Sequence, residues 1–198
     1  MASVRVAAAL LGCGTFLAAA GCRPSLPRAE REWRAERLQG VRQSLPEGAA
    51  ATLGDLRFFP YDPRYRVKGL LERISPPEPL RLAASDGSVR PAHRVGRVRV
   101  NLPGGQAVLA VYQLDDIRDR YPDYLFLPFR DAGAGRETYG AGRYVDLVEL
   151  AGGMVEIDFN RAYNPDCAYG IAAQCPITPK ENTVSFVVRA GEMTPGDH

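Results

Sequence analysis

Histidine and lysine are scarce in this chain. Its 198 residues include two histidines, His93 and the terminal His198, and two lysines, Lys68 and Lys180. So few imidazoles leave a histidine-rich metal centre or a serine–histidine relay without its usual parts. No G-x-S-x-G occurs, and the glycine signatures of phosphate and dinucleotide loops are missing. Gly133, Gly135, Gly140 and Gly142 are spaced as turn glycines. No cofactor and no metal are expected. Arginine therefore supplies nearly all the positive charge, a skew better explained by genome composition than by a site. Lys+Arg 25 nearly balances Asp+Glu 23. No dense basic tract is present, so nucleic acid is not an expected partner. The arginines of RVGRVRV alternate with valines, as on the solvated face of a strand.

Long apolar runs are missing too. VAAALLGCGTFLAAAG is the length of a signal-peptide core and too short to span a bilayer comfortably. Arg5 precedes it, and Ala19-Ala20-Gly21-Cys22 closes it. Small residues before a cysteine resemble a bacterial lipobox, although Ala19 stands where leucine is usual. The expectation is a lipoprotein signal over residues 1–21, acylated Cys22 as the first mature residue, and a tether over 22–28. An ordinary secretory signal cleaved nearby and an uncleaved anchor are the alternatives. Each buried methylene contributes roughly 0.8 kcal/mol, and one chain anchors only marginally. A lipoprotein cysteine carries more than one, so the expected partner is the membrane and the expected location the cell envelope.

Of four cysteines, Cys13 would leave with the signal and Cys22 would take lipid, so Cys167 and Cys175 remain. In an oxidising compartment these two are expected to form a disulfide across seven intervening residues. A redox-active pair and metal ligation are weaker readings, because the spacing is not C-x-x-C and histidines are few.

A single domain is expected over 29–193, with a tail over 194–198. AEREWRAERLQGVRQS puts Trp33, Leu38, Val41 and Leu45 on one face of a helix over 29–45. Strands follow. Arg64–Arg73 comes after Pro63, and Pro76-Pro77-Glu78-Pro79 reads as a connector outside any sheet. Leu80–Ala84 is a short strand. Val98, Val100 and Leu102 alternate with Arg97, Arg99 and Asn101, and Pro103-Gly104 turns the chain into Ala107–Leu114. Tyr124–Arg130, Gly140–Leu150, Met154–Phe159 and Thr183–Ala190 complete the set. About eight strands and one N-terminal helix define a mainly β fold, an antiparallel sandwich or a partly closed barrel.

Between Phe159 and Thr183 the chain shows neither helical nor strand periodicity. A connection this long within a compact domain is usually functional or disordered. Tyr163, Tyr169, Ile171 and three prolines argue for a loop folded on itself.

The blocks Phe58-Phe59-Pro60-Tyr61-Asp62-Pro63, FRDAGAGRETYGAGRY (Phe129–Tyr144), DFNRAYNPDCAY (Asp158–Tyr169), Cys175-Pro176, PKEN (Pro179–Asn182) and Ala190-Gly191-Glu192 resemble the domain of unknown function 1684 family. The resemblance runs from about Trp33 to Met193, in a short form that lacks a segment many members carry before the FFP block. It implies a single β-rich domain, often secreted or lipid-anchored, with no assigned reaction.

The polar residues of two loops form the candidate site. Arg130, Asp131, Arg136, Glu137, Thr138 and Tyr139 come from one; Asp158, Asn160, Arg161, Asn164, Glu181 and Asn182 come from the other. For ligand binding the candidates are Arg130, Tyr139, Asn160, Arg161, Asn164 and Asn182, facing a small polar ligand or an envelope component. For hydrolysis of an envelope carbohydrate or peptide the candidates are Glu181 with Asp158 or Glu137. A purely structural role for the same side chains, satisfying the loop's own backbone, is the competing expectation. A thiol–disulfide protein built on Cys167 and Cys175 is a weaker alternative.

Overall fold

The computed structural model describes residues 26–171 and 174–196. The signal, Cys13, the lipidation candidate Cys22 and His198 lie outside the described residues.

Six strands close into one antiparallel barrel: β1 (Arg66–Ala83), β2 (Val89–Leu102), β3 (Gly105–Leu114), β4 (Leu125–Phe129), β5 (Arg143–Glu149) and β6 (Met154–Asp158). β6 pairs back onto β1, with Val67 opposite Ile157 and Gly69 opposite Val155. The architecture is therefore a closed barrel rather than a sandwich, with six strands among the described residues, not about eight.

Two local causes account for the difference. The first is the proline segment. Arg64–Arg73 and Leu80–Ala84 are not separate strands but parts of β1, and Pro76-Pro77-Glu78-Pro79 lies within it. Prolines cannot donate to a ladder. The β1–β2 register accordingly breaks between Arg73 and Glu78 and resumes with Glu78 opposite Arg94.

The second cause lies at the C-terminus. Thr183–Ala190 is not a strand. It makes one isolated bridge, Thr183 with Arg130, and sends Val184, Val188 and Ala190 into the barrel core. The Phe186 carbonyl takes the Ala132 N–H at 3.1 Å, and the carbonyls beyond it find a side chain instead of a neighbouring strand. The Arg143 guanidinium, fully buried on β5, donates to the backbone oxygens of Val188 and Glu192 at 2.8 Å each, and to that of Ala190. Gly191 then passes Ala162 so closely, at φ +75°, that a Cβ there would sit 2.4 Å from the Ala162 oxygen.

The β2–β3 hairpin follows its alternation. Val98, Val100 and Leu102 are buried, and Leu102 faces Gly105 across Pro103-Gly104. The outer face of β3–β5 is not wet, as simple alternation would suggest. Tyr112, Leu114, Phe126 and Tyr144 form a second apolar cluster there, joined by Tyr124 and Tyr163.

The N-terminal helix α1 spans Arg28–Ser44, one residue offset from expectation, and a short unforeseen α2 (Glu47–Thr52) follows. Leu38, Val41 and Leu45 meet Leu53, Tyr169 and Ile171. The long loop is thus packed against the barrel wall through Tyr163 and against the helix through Tyr169. A single helical turn, α3 (Asp115–Arg118), connects β3 towards β4.

Candidate functional site

The three loop asparagines expected at a ligand site are all fully buried. Each is used internally. Asn160 accepts from the Asp62 backbone N–H at 3.0 Å and donates to the Asp62 oxygen at 2.9 Å, pinning the Pro60–Pro63 segment. Asn164 donates from Nδ2 to the Met193 oxygen at 2.9 Å and to the Tyr169 hydroxyl at 3.1 Å. Asn182 bridges β3 and β4. It donates to the oxygens of Ala110 (2.9 Å) and Pro128 (2.7 Å), and accepts from the Ala110 N–H (2.8 Å).

The carboxylates are dispersed. Glu181 receives Arg94 and the Tyr112 hydroxyl, both at 2.6 Å, on the outer side of β2–β3. Glu137 pairs with Arg189 at 2.8 Å, which lowers the Glu137 pKa. Asp158 accepts from the backbone and side-chain nitrogens of Asn160. These three share no partner, so the expected pairing of Glu181 with Asp158 or Glu137 is not assembled.

The arginines behave similarly. Arg130 donates to the Gly140 oxygen at 2.8 Å and Arg136 to the Ala132 oxygen at 3.0 Å. Arg161 reaches back to Glu30 of α1 at 3.5 Å. Tyr139 is half-buried beside Cys167; burial and then that thiol raise its pKa. His93 lies in β2 and contacts Asp115 at 2.7 Å.

Two buried charge clusters were not legible as such in the sequence. Asp131 and Arg143 form a fully buried pair at 2.7 Å, and Asp131 also accepts from Gly133 N–H and Thr138 Oγ1. Burial pulls the Arg143 pKa down against the opposing charge of Asp131. Glu192 is fully buried as well. It takes Arg37 at 2.8 Å, the Tyr169 hydroxyl at 2.6 Å and the Asn164 N–H at 2.7 Å. Burial works to lower the Arg37 pKa, but Glu192 outweighs it and the net shift is upward. Glu192 thereby ties α1, the loop and the C-terminal segment together.

The expected disulfide is not formed. Cys167 and Cys175 are adjacent free cysteines, and the Cys167 N–H points at Cys175 Sγ, 3.4 Å away. The turn Asp166–Tyr169 aims a backbone donor, not a second sulfur bond, at Cys175. Noncovalent bonds close the loop instead: Tyr144 and Tyr163 exchange backbone hydrogen bonds at 2.8 and 2.9 Å. Burial pushes the Cys175 thiol up to about 11, which works against it as an attacking thiolate.

A hollow of about 510 Å³ runs along the Phe59–Tyr65 segment beside Arg189, and two clefts border the long loop and the neighbouring strands. The larger, about 340 Å³, opens between α3, the outer face of β4–β5 and the loop. Tyr124, Phe126, Tyr144 and Tyr163 supply its aromatic surface, and Arg90, Asp116, Asp166 and Gln174 its polar groups. The smaller, about 170 Å³, lies beside α1 and is lined by Trp33, Arg66, Asp146, Glu156, Asp158 and Arg161. Of the expected site residues that are described, Asp158, Arg161 and Cys175 alone line either cleft.

Asp146 links the two. It lines the smaller cleft, while its Oδ1 accepts the hydroxyls of Tyr124 (2.9 Å) and Tyr163 (3.1 Å) from the larger. Asp146 is exposed as a residue, yet protein atoms crowd the carboxyl closely enough that burial raises its pKa; the two hydroxyls pull the other way. Asp146 carried no sequence signal beyond lying in a strand.

No curated protein matches the chain. A solution NMR structure of an uncharacterised protein from Haloarcula marismortui is similar, with 29% identity and a TM-score of 0.59, covering 87% of this chain and all of that one. The family model for proteins of unknown function DUF1684 matches residues 51–193, from α2 through the barrel to the buried C-terminal segment, and the chain belongs to that family.

Proposed function

We propose that the protein is a lipid-anchored envelope module that binds a small polar ligand in the larger cleft, beside the 158–182 loop. One observation carries the reading. The loop's asparagines are consumed in holding the loop to the barrel, and the cleft it borders is left preformed, aromatic within and polar at the rim. Small-molecule sites have that composition and begin at roughly 300 Å³. The anchor rests on Ala19-Ala20-Gly21-Cys22. Metabolic labelling with a fatty acid tests it: label should enter the wild type and be lost in Cys22→Ala. A thermal-shift panel of envelope sugars, peptides and metal ions tests binding. A stabilising compound should lose its effect in Gln174→Ala; a panel with no such compound overturns the binding role.

A hydrolase remains the second reading, because the smaller cleft brings Asp158 a partner other than the one expected. Leu147 faces Ile157 across β5–β6, and the same register carried one residue further sets Asp146 opposite Asp158. A carboxyl raised by burial suits a general acid, with the opposite carboxylate as base. Cleavage of chromogenic glycosides or peptides, abolished in Asp146→Asn with the fold intact, would support it. No turnover across such a panel would remove it.

A further inference from the structure

We infer that the larger cleft takes one saccharide ring, a neutral pyranose that lays an aliphatic C–H face on the tyrosine surface and offers hydroxyl donors to the rim carboxylates. This rests on the binding reading above and narrows it to a ligand class.

The interior of the cleft decides against planar and cationic ligands. Phe126 meets Tyr144 edge-to-face at 4.8 Å and 71°, and Tyr144 meets Tyr163 at 5.8 Å and 90°. Rings crossed in this way do not form two parallel plates that clasp a flat base. A cation cage needs several free aromatic faces. Here the Arg37 guanidinium already lies 5.1 Å over Tyr163, and a second cation would meet its charge. Phe126 and Tyr144 are almost wholly buried, so Tyr124 and Tyr163 are the half-exposed rings left to carry a ligand.

The rim decides the polar chemistry. The tyrosine hydroxyls are committed, those of Tyr124 and Tyr163 to Asp146 and that of Tyr144 to the Pro176 oxygen. Polar recognition therefore falls to the carboxylates of Asp116 and Asp166 and to the side-chain oxygen of Gln174, whose Nε2 donates to Ser88 Oγ. The side chains of Asp116 and Asp166 are each 47% exposed. Arg90 is occupied by Asp116 at 2.9 Å. Asp166 likewise lies 3.7 Å from Arg37, so two carboxylates stand against two guanidinium groups; a rim so balanced attracts neither anion nor cation, and the carboxylate oxygens left exposed ask for donors, which sugar hydroxyls provide. The fixed tyrosine pair supplies a rigid platform, so little ordering is needed on binding.

Saturation-transfer NMR on the full chain in detergent, with methyl α-glucopyranoside, galactose and N-acetylglucosamine, tests the inference. Sorbitol, tetramethylammonium and glucose 6-phosphate serve as comparisons. Transfer to the C–H protons of at least one pyranose is expected, with binding weakened about tenfold in Asp166→Asn and in Gln174→Ala while circular dichroism stays unchanged. Binding of tetramethylammonium or glucose 6-phosphate in preference to every pyranose overturns the sugar assignment and leaves a small-ligand cleft standing. Silence from all six compounds, together with an empty thermal-shift panel, overturns both. A pyranose that binds equally well to both variants also overturns it, by placing the sugar elsewhere.

Discussion

The side chain of Asn182 takes both backbone groups of Ala110, donating to the oxygen at 2.9 Å and accepting from the N–H at 2.8 Å. β3 and β4 pair directly only at Tyr112 and Phe126. Two residues along, that register would set Ala110 against Pro128, which has no N–H to give. The carboxamide inserts at that gap and also satisfies the Pro128 oxygen at 2.7 Å. One loop residue thus completes the barrel wall.

Asn182→Ala should therefore behave as a core lesion. It leaves three buried backbone groups without partners, and a loss of about 3 kcal/mol or more is expected. Asn182→Asp keeps an acceptor for Ala110 but removes both donors, so it should be at least as harmful. Urea unfolding of the two variants checks this; a change within about 0.5 kcal/mol, ordinary for a surface site, would contradict it.

Removing one member of the buried Arg143–Asp131 pair should cost more than removing both. Arg143→Met strands the Asp131 carboxylate and releases three carbonyls of the 188–192 segment. A loss of about 3–5 kcal/mol is typical of a broken buried pair. Adding Asp131→Asn to Arg143→Met should recover part of it, measured as a double-mutant cycle by denaturant unfolding.

Much of the barrel could be read from the residues, because alternation at Val98, Val100 and Leu102 reports burial directly. The helix was legible for the same reason, through Leu38, Val41 and Leu45. What could not be read were substitutions of one kind of bond for another. A proline run normally ends a strand, yet β1 continues by shifting register around it. An apolar alternating segment normally pairs with a strand, yet Val184–Ala190 is held by the Arg143 side chain. At the candidate site, polar composition marked the loop correctly but not its use: a buried asparagine bonding backbone and an exposed one awaiting a ligand look identical in sequence. The larger cleft draws on Tyr124, just ahead of β4, and on Phe126 and Tyr144 within β4 and β5, whose outward orientation gave no sign that a loop would cover them.

Asp146 should impose a pH dependence of recognisable sign. Burial raises its folded-state pKa above the ordinary carboxylate value. The folded protein then holds the proton more tightly than the unfolded chain, so this contribution is complete below the unfolded value near pH ~4 and is lost as the pH rises through the raised folded value. Asp146→Asn should flatten that part of the stability profile, as followed by melting temperature across the acidic range. An unchanged profile would contradict the assignment.

Cys175 should alkylate slowly. Its thiol is buried and pushed up to about 11, so little thiolate exists near neutrality. In the reduced, native protein, iodoacetamide followed by mass spectrometry should mark Cys175 only after unfolding; rapid native labelling would show that the loop does not cover it.

Hydrogen exchange across the 159–182 loop gives the most direct test that this loop is a self-satisfied part of the scaffold. The N–H of Tyr163 bonds Tyr144, that of Asn164 bonds Glu192, and that of Glu192 bonds Ala162. Protection of these three amides close to that of the barrel strands is the expected result. Exchange at the rate of an unstructured peptide, while β2 and β3 stay protected, would contradict it.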